Sequence, residues 1–188
     1  MKLSHFIEAN FNKILEEWDQ FALTLFPQNV HVSARELRDH AREILMELSK
    51  DMETAQSDQQ QAGKSKGEEA KSSDALSSAS VHGTERQHSG FSLPELAAEF
   101  RALRATVLRM WLPKIPALTE QIAHDMVRFN EAIDQALAES VATYTAQNTR
   151  ARDTFLDILG HNLRSPLMGI RRSAKVLQKT GVTAEAAG

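Results

Sequence analysis

TEQIAHDMVRFNEAIDQALAESVATY, residues 119–144, is the stretch on which the fold turns. Ile122, Met126, Phe129, Ile133, Leu137 and Tyr144, with Ser140 or Val141 before the last, recur at steps of four and three. Side chains three and four positions apart stack on one face of an α-helix, so this spacing gives a narrow apolar seam with polar flanks. Neither Gly nor Pro interrupts the chain until Gly160, and the helix should therefore run well past Tyr144. A narrow seam suits pairing with another helix, and the expected partner is the same helix of a second copy, a homodimer. At roughly 1.5 Å per residue, residues 119–160 would extend about 60 Å, longer than a compact domain needs, so part of the helix should project.

Upstream, SLPELAAEFRALRATVLRMW (92–111) carries Ser92 as an N-cap, Pro94 in the first turn, and an apolar face of Leu96, Phe100, Leu103, Val107, Leu108 and Trp111. Pro113 and Pro116 then break the chain. From Leu3 to Leu25, Phe6, Ile7, Phe11, Ile14, Leu15, Trp18, Phe21 and Ala22 predict an amphipathic helix that stops before Pro27, with Ser4 as its candidate cap. A second helix should start after Ser33, with Ser33 and Glu36 as a capping box, and reach about Met52 through Leu37, His40, Ala41, Ile44, Leu45 and Leu48. Between Glu53 and Ser89 the only large aliphatic residues are Leu76 and Val81. So little apolar surface does not offset the entropy of ordering, and 53–89 is read as a flexible loop, less bland toward HGTERQHSGF. No stretch alternates apolar and polar residues as a strand would, and the fold class is all-α.

Composition narrows the function. The net charge is −3 and the pI about 6.2, with both signs mixed along the chain. That gives no footprint for nucleic acid or a membrane surface, and points to a protein partner. There is no cysteine, which excludes disulfides, thiolate metal sites and cysteine nucleophiles and fits a reducing, cytoplasmic setting. No window is apolar enough to span a bilayer, and acidic residues interrupt the N-terminal apolar pattern, unlike a signal peptide.

The segment FLDILGHNLRSPLMGI (155–170) carries the candidate chemistry. Leu156, Leu159, Leu163, Leu167, Ile170, Ala174 and Leu177 continue at steps of three and four as a core-facing seam, while His161 lies about 200° from Leu159 and from Leu163. The imidazole should stand on the open face. Pro166 removes the amide that would bond to the Asn162 carbonyl, so a bend is expected one turn beyond the histidine.

Through Phe155, Leu156, His161, Leu163, Arg164, Pro166 and Leu167, the segment resembles the H-box of the dimerisation and phosphotransfer domain of sensor histidine kinases. The resemblance implies that His161 is a phosphoacceptor. It would take the γ-phosphate of ATP from a separate ATP-binding domain and pass it to an aspartate on a response-regulator receiver. The family usually has Glu or Asp after the histidine; here Asn162 can orient the ring but not accept its proton, a contribution typically worth about 100- to 10,000-fold. Ser165 stands where the family often has Thr or Asn positioning a water. The second helix of the hairpin and the nucleotide-binding boxes are absent from the sequence, so ATP is expected only with a separate catalytic domain and no cofactor is expected in this chain.

Residues 1 to about 150 resemble the RsbRD-type N-terminal domain related to RsbT co-antagonist proteins, chiefly through HGTERQHSGFSLPELAAEFRALRATVLRMW and RFNEAIDQALAESVATY. This implies a globin-like helical bundle that needs no haem and is usually dimeric. The resulting division is a sensor domain over 1–145 and a truncated phosphoacceptor segment over 146–188. Together they suggest the sensory half of a two-component kinase; the alternative is a non-catalytic, stressosome-related interaction module. His40 and His124 are the positions a haem iron would need, though a lone helical histidine is ordinarily structural. No His, Asp and Glu set has metal-site spacing. His82, Arg86 and His88 cluster before Gly90 and are read first as a loop anchor, second as an anion site. Arg101, Arg104 and Arg109 are read as a solvated face paired with Glu95 and Glu99, and Trp18 and Trp111 as core.

Overall fold

A computed structural model describes residues 1–24, 34–54 and 76–185 together with Gly63; side-chain surroundings are described within these ranges except at 34–39 and 179–185. The helices are α1 (Leu3–Thr24), α2 (Ala34–Glu53), α3 (Ser78–His88), α4 (Leu93–Trp111) and α5 (Glu120–Glu185), with a 3-10 turn at Leu112–Lys114. No described residue lies in a strand. The all-α expectation, with a long C-terminal helix, holds. The chain divides into two units, Met1–Gln147 and Asn148–Gly188, and α5 contributes to both.

In the first unit the apolar faces of four helices share one core. Phe6, Ile7, Ile14, Leu15 and Trp18 of α1 meet Ile44 and Leu45 of α2, Leu96, Phe100, Leu103, Val107 and Trp111 of α4, and Ile122, Phe129 and Ile133 of α5. Burying each large side chain contributes about 1.5–3 kcal/mol, so this shared face holds the unit together. Both indoles are core, as expected, and their N–H groups are satisfied: Trp18 Nε1 donates to the Glu99 carbonyl (3.1 Å) and Trp111 Nε1 to the Met1 carbonyl (3.3 Å). Asn10 bends α1. Its side-chain amide donates to the Phe6 carbonyl at 2.9 Å, competing with the helical bond, and its backbone leaves the helical region at φ −121°.

Helix ends are closed by specific donors and acceptors. Ser92 Oγ accepts from the Glu95 amide while Glu95 Oε2 accepts from the Ser92 amide at 2.7 Å, so the expected cap is a full capping box. Thr119 Oγ1 accepts from the Ile122 amide (3.3 Å) to start α5. Ser4 is not the cap of α1: it lies inside the first turn, buried, and the buried first amide of the helix, that of Leu3, instead donates to Asp125 Oδ2 at 3.0 Å. At the other end of α2, Arg128 donates to the carbonyls of Asp51 (2.5 Å) and Thr54 (3.2 Å), a cation on the negative pole of the helix. The proposed Ser33 cap lies outside the described residues.

Two further expectations fail against the structure. The loop reading of 53–89 fails over its last third, where α3 forms; residues 55–75 apart from Gly63 lie outside the described residues. Ser77 caps α3 by accepting from the Ser80 amide, and the helix ends in a Schellman motif: Gly90, at φ +74°, donates to the Gln87 carbonyl and Phe91 to the Arg86 carbonyl. Composition misled because the buried face of α3 is Ala79, Ser80, His82, Gly83 and Arg86, small and polar rather than aliphatic. Its closure on α5 is correspondingly tight: a Cβ on Gly83 would fall 2.2 Å from the Ser140 carbonyl oxygen, and Ser140 Oγ donates to the Ala79 carbonyl at 2.5 Å.

The second correction concerns the seam of 119–144. Its residues face the core of their own unit rather than a second copy: Ile122, Phe129, Ile133 and Ser140 are buried, and Met126, Leu137, Val141 and Tyr144 pack partly buried against them. Periodicity reports a buried face but not what covers it. Between Ser140 and Val141 the structure selects Ser140 as the inward residue, because only a small side chain admits α3 so closely.

Candidate functional site

Charge is buried where α3 meets α4. His82, Arg86 and Glu99 are each 1% exposed or less at the side chain. His82 Nε2 lies 3.0 Å from Glu99 Oε2, and Arg86 Nε donates to both Glu99 oxygens at 3.0 and 2.8 Å. One carboxylate thus receives two partners from successive turns of α3, since residues four apart share a helix face. The guanidinium also stacks over the Phe91 ring, 4.9 Å from its centroid, which the Schellman turn brings back under Arg86. Around the imidazole, Phe100 stands edge-on at 5.6 Å and His40 of α2 at 6.4 Å between ring centroids.

The protonation pattern follows from burial. Desolvation lowers the His82 pKa below its ordinary 6.5, outweighing the hydrogen bond and charge of Glu99, with Arg86 and His40 pushing the same way as burial. For Glu99, burial alone would raise the carboxyl; the hydrogen bond from His82 and the charge and hydrogen bonds of Arg86 outweigh it and hold it below 4.5. The resting cluster is therefore a neutral imidazole donating Nε2–H to a carboxylate that is paired with a guanidinium. Within this cluster, His82 Nδ1, His40 Nδ1 and Arg86 Nη2 are buried without a hydrogen-bond partner among the described residues.

The second candidate site belongs to 148–185. His161, Asn162 and Ser165 lie exposed on α5, and His161 and Ser165, four residues apart, share a face. The seam read as core-facing is exposed in the single chain, with Leu156 at 53%, Leu159 at 41%, Leu163 at 49% and Leu167 at 60%. The helix continues through Pro166, whose missing N–H leaves the Asn162 carbonyl without its usual donor.

The family model of the RsbT co-antagonist protein rsbRD N-terminal domain matches residues 12–154. The chain belongs to this family. The match runs from within α1 to the middle of α5 and stops one residue before Phe155, so it includes the buried cluster and not the H-box segment. No curated protein and no solved structure matches the chain.

Within the RsbRD domain the other sequence candidates separate. His82 and Arg86 do anchor their segment onto the helix that follows, whereas His88 is exposed at the end of α3. His40 joins His82; His124 is exposed on α5, so the two histidines considered for haem iron are not alike in setting. Among the described residues no group of three His, Cys, Asp or Glu is placed to hold a metal ion. The arginine face pairs otherwise than expected: Arg104 bonds Asp134 and Arg109 bonds Glu17, while Glu95 serves the cap and Glu99 the cluster. Glu99 was missed as a site residue although its signal was present. It falls three after Leu96 and four before Leu103, on the apolar face, where a carboxylate demands buried partners. Among the described residues no helix is long and apolar enough to cross a membrane.

Proposed function

We propose that this chain is a stressosome-related sensor module whose RsbRD domain controls a helix that pairs with a second copy and presents His161 as a phosphoacceptor. The observation that carries the reading is the division of 155–170 into two exposed faces, Leu156, Leu159, Leu163 and Leu167 on one and His161 on the other. Pairing would cover the first face and leave the second to a kinase domain and a response-regulator receiver. In the transfer step a ring nitrogen attacks the γ-phosphorus of ATP, an N–P bond forms as the bond to the ADP oxygen breaks, and the other nitrogen's proton leaves to a base. Asn162 cannot accept that proton, so solvent or the kinase domain supplies the base and transfer is slow. Ser165, one turn on, is within the reach of a water attacking phosphorylated His161.

A second reading is favoured by the end of the family match at residue 154 and by Asn162: a non-catalytic dimeric scaffold that binds partners without phosphate. Incubation of the chain with ATP and a separately expressed histidine kinase catalytic domain distinguishes them. Acid-labile label on the chain that His161→Gln abolishes supports phosphotransfer; equal labelling of chain and variant, or none, leaves the scaffold reading, under which partner capture is indifferent to His161→Ala.

A further inference from the structure

We propose that His82 is the proton-binding site of an acid-sensing latch that holds α3 against α4 and α5. This adds an input to the RsbRD domain and does not depend on the phosphoacceptor reading.

The argument starts from charge balance. With His82 neutral, the buried set of Arg86 and Glu99 sums to zero. A proton on His82 leaves one net positive charge in the interior, because both oxygens of Glu99 are already engaged by Arg86. It also converts Nδ1 from an unpartnered acceptor into an unpartnered buried donor, next to a second histidine whose own Nδ1 is buried without a partner. Among the described residues no partner for Nδ1 stands ready. The titratable groups facing His82 are His40 from α2, Glu99 from α4 and Arg86 from its own helix; α5 meets this part of α3 through Ser140, which does not titrate in the range.

The fold gives the proton both an entrance and an effect. His40, edge-on to His82, is only partly buried and is the member of this group nearest solvent. Few aliphatic contacts hold α3, whose buried face is made of Ser80, His82, Gly83 and Arg86 around one alanine, so opening it costs less than opening its neighbours. The sign is fixed by linkage. Below pH 6.5, the ordinary value, an opened His82 binds a proton that the closed form refuses, so acid favours opening; above it neither form binds and the latch is fully closed. Glu99 acts in the same direction, but only below pH 4.5.

Hydrogen exchange of the full chain, corrected for intrinsic rates, tests this between about pH 7.5 and about pH 5.5, with the His82 imidazole followed by NMR. The expected result is that protection of 78–88 falls by up to about tenfold per pH unit below the ordinary histidine range while the middle of α4 stays protected. In His82→Gln, whose amide can still donate to Glu99, the acid response should vanish. Equal protection of α3 at both pH values overturns the latch, as does an unchanged acid response in the glutamine variant. Should that variant lack helical signal at neutral pH, the native imidazole decides. Titration of His82 together with loss of α3 protection supports the latch, and titration without that loss, or loss without titration, sinks it.

Discussion

At the scale of single residues, Gly83 marks a close approach of α3 to the backbone of α5. A methyl group there would meet the carbonyl oxygen, carbon and Cα of Ser140 at 2.2, 2.8 and 2.9 Å, all of them backbone atoms of α5 that cannot rotate aside. Helix propensity alone would favour Ala over Gly by up to about 1 kcal/mol, but a forced separation of α3 from α5 costs more. Gly83→Ala should therefore lower the stability of the first unit by about 2 kcal/mol or more, read from its urea midpoint. Gly160 provides the contrast. It has no atom within 4 Å of its would-be Cβ, so Gly160→Ala should raise helicity without a penalty. If both substitutions behave alike, the close approach at Ser140 is wrong.

Elements differ in how openly the sequence announces them. α1, α2 and α4 could be read from aliphatic periodicity because they bury aliphatic residues, and α4 also from its cap. α3 could not, since what it buries is an ion pair, a histidine and a glycine; its legible signs were the Ser77 cap and the Gly90–Phe91 ending. α5 was legible as a helix but not in its partners, because Ile122 to Tyr144 would show the same spacing against a neighbouring helix or a second chain. The candidate site divided in the same way. His82 and Arg86 stood out by type, whereas Glu99 hid among surface-looking glutamates until its place between Leu96 and Leu103 was set against the core. The capping box of α4 gives the check at this scale. Ser92→Ala removes the acceptor for the Glu95 amide and a partner of its carboxylate, and should cost about 1 kcal/mol, while Ser92→Asp should retain most of the native stability. Equal losses in the two variants would mean that the cap geometry does not matter.

For the whole molecule, the two units obey different stability rules. Met1–Gln147 buries its own core, so its unfolding should be independent of protein concentration. Asn148–Gly188 has no buried residue among those whose side chains are described, and its exposed face carries Leu156, Leu159, Leu163, Leu167 and Ile170. An isolated helix of this kind gains little from propensity and needs a partner for its apolar face. If that partner is a second copy, its melting is coupled to association, and each tenfold rise in concentration adds about 1.4 kcal/mol to the dimer. Circular dichroism at 222 nm should then resolve a minor transition that moves up by several degrees per decade of concentration and a major one that stays fixed. Leu159→Lys combined with Leu163→Lys should abolish the concentration dependence of the minor transition and halve the mass seen by light scattering. The major transition should be untouched, because neither leucine belongs to the first unit. A minor transition that ignores concentration, or a double variant that keeps the native mass, would show that this face is covered by something other than a second copy.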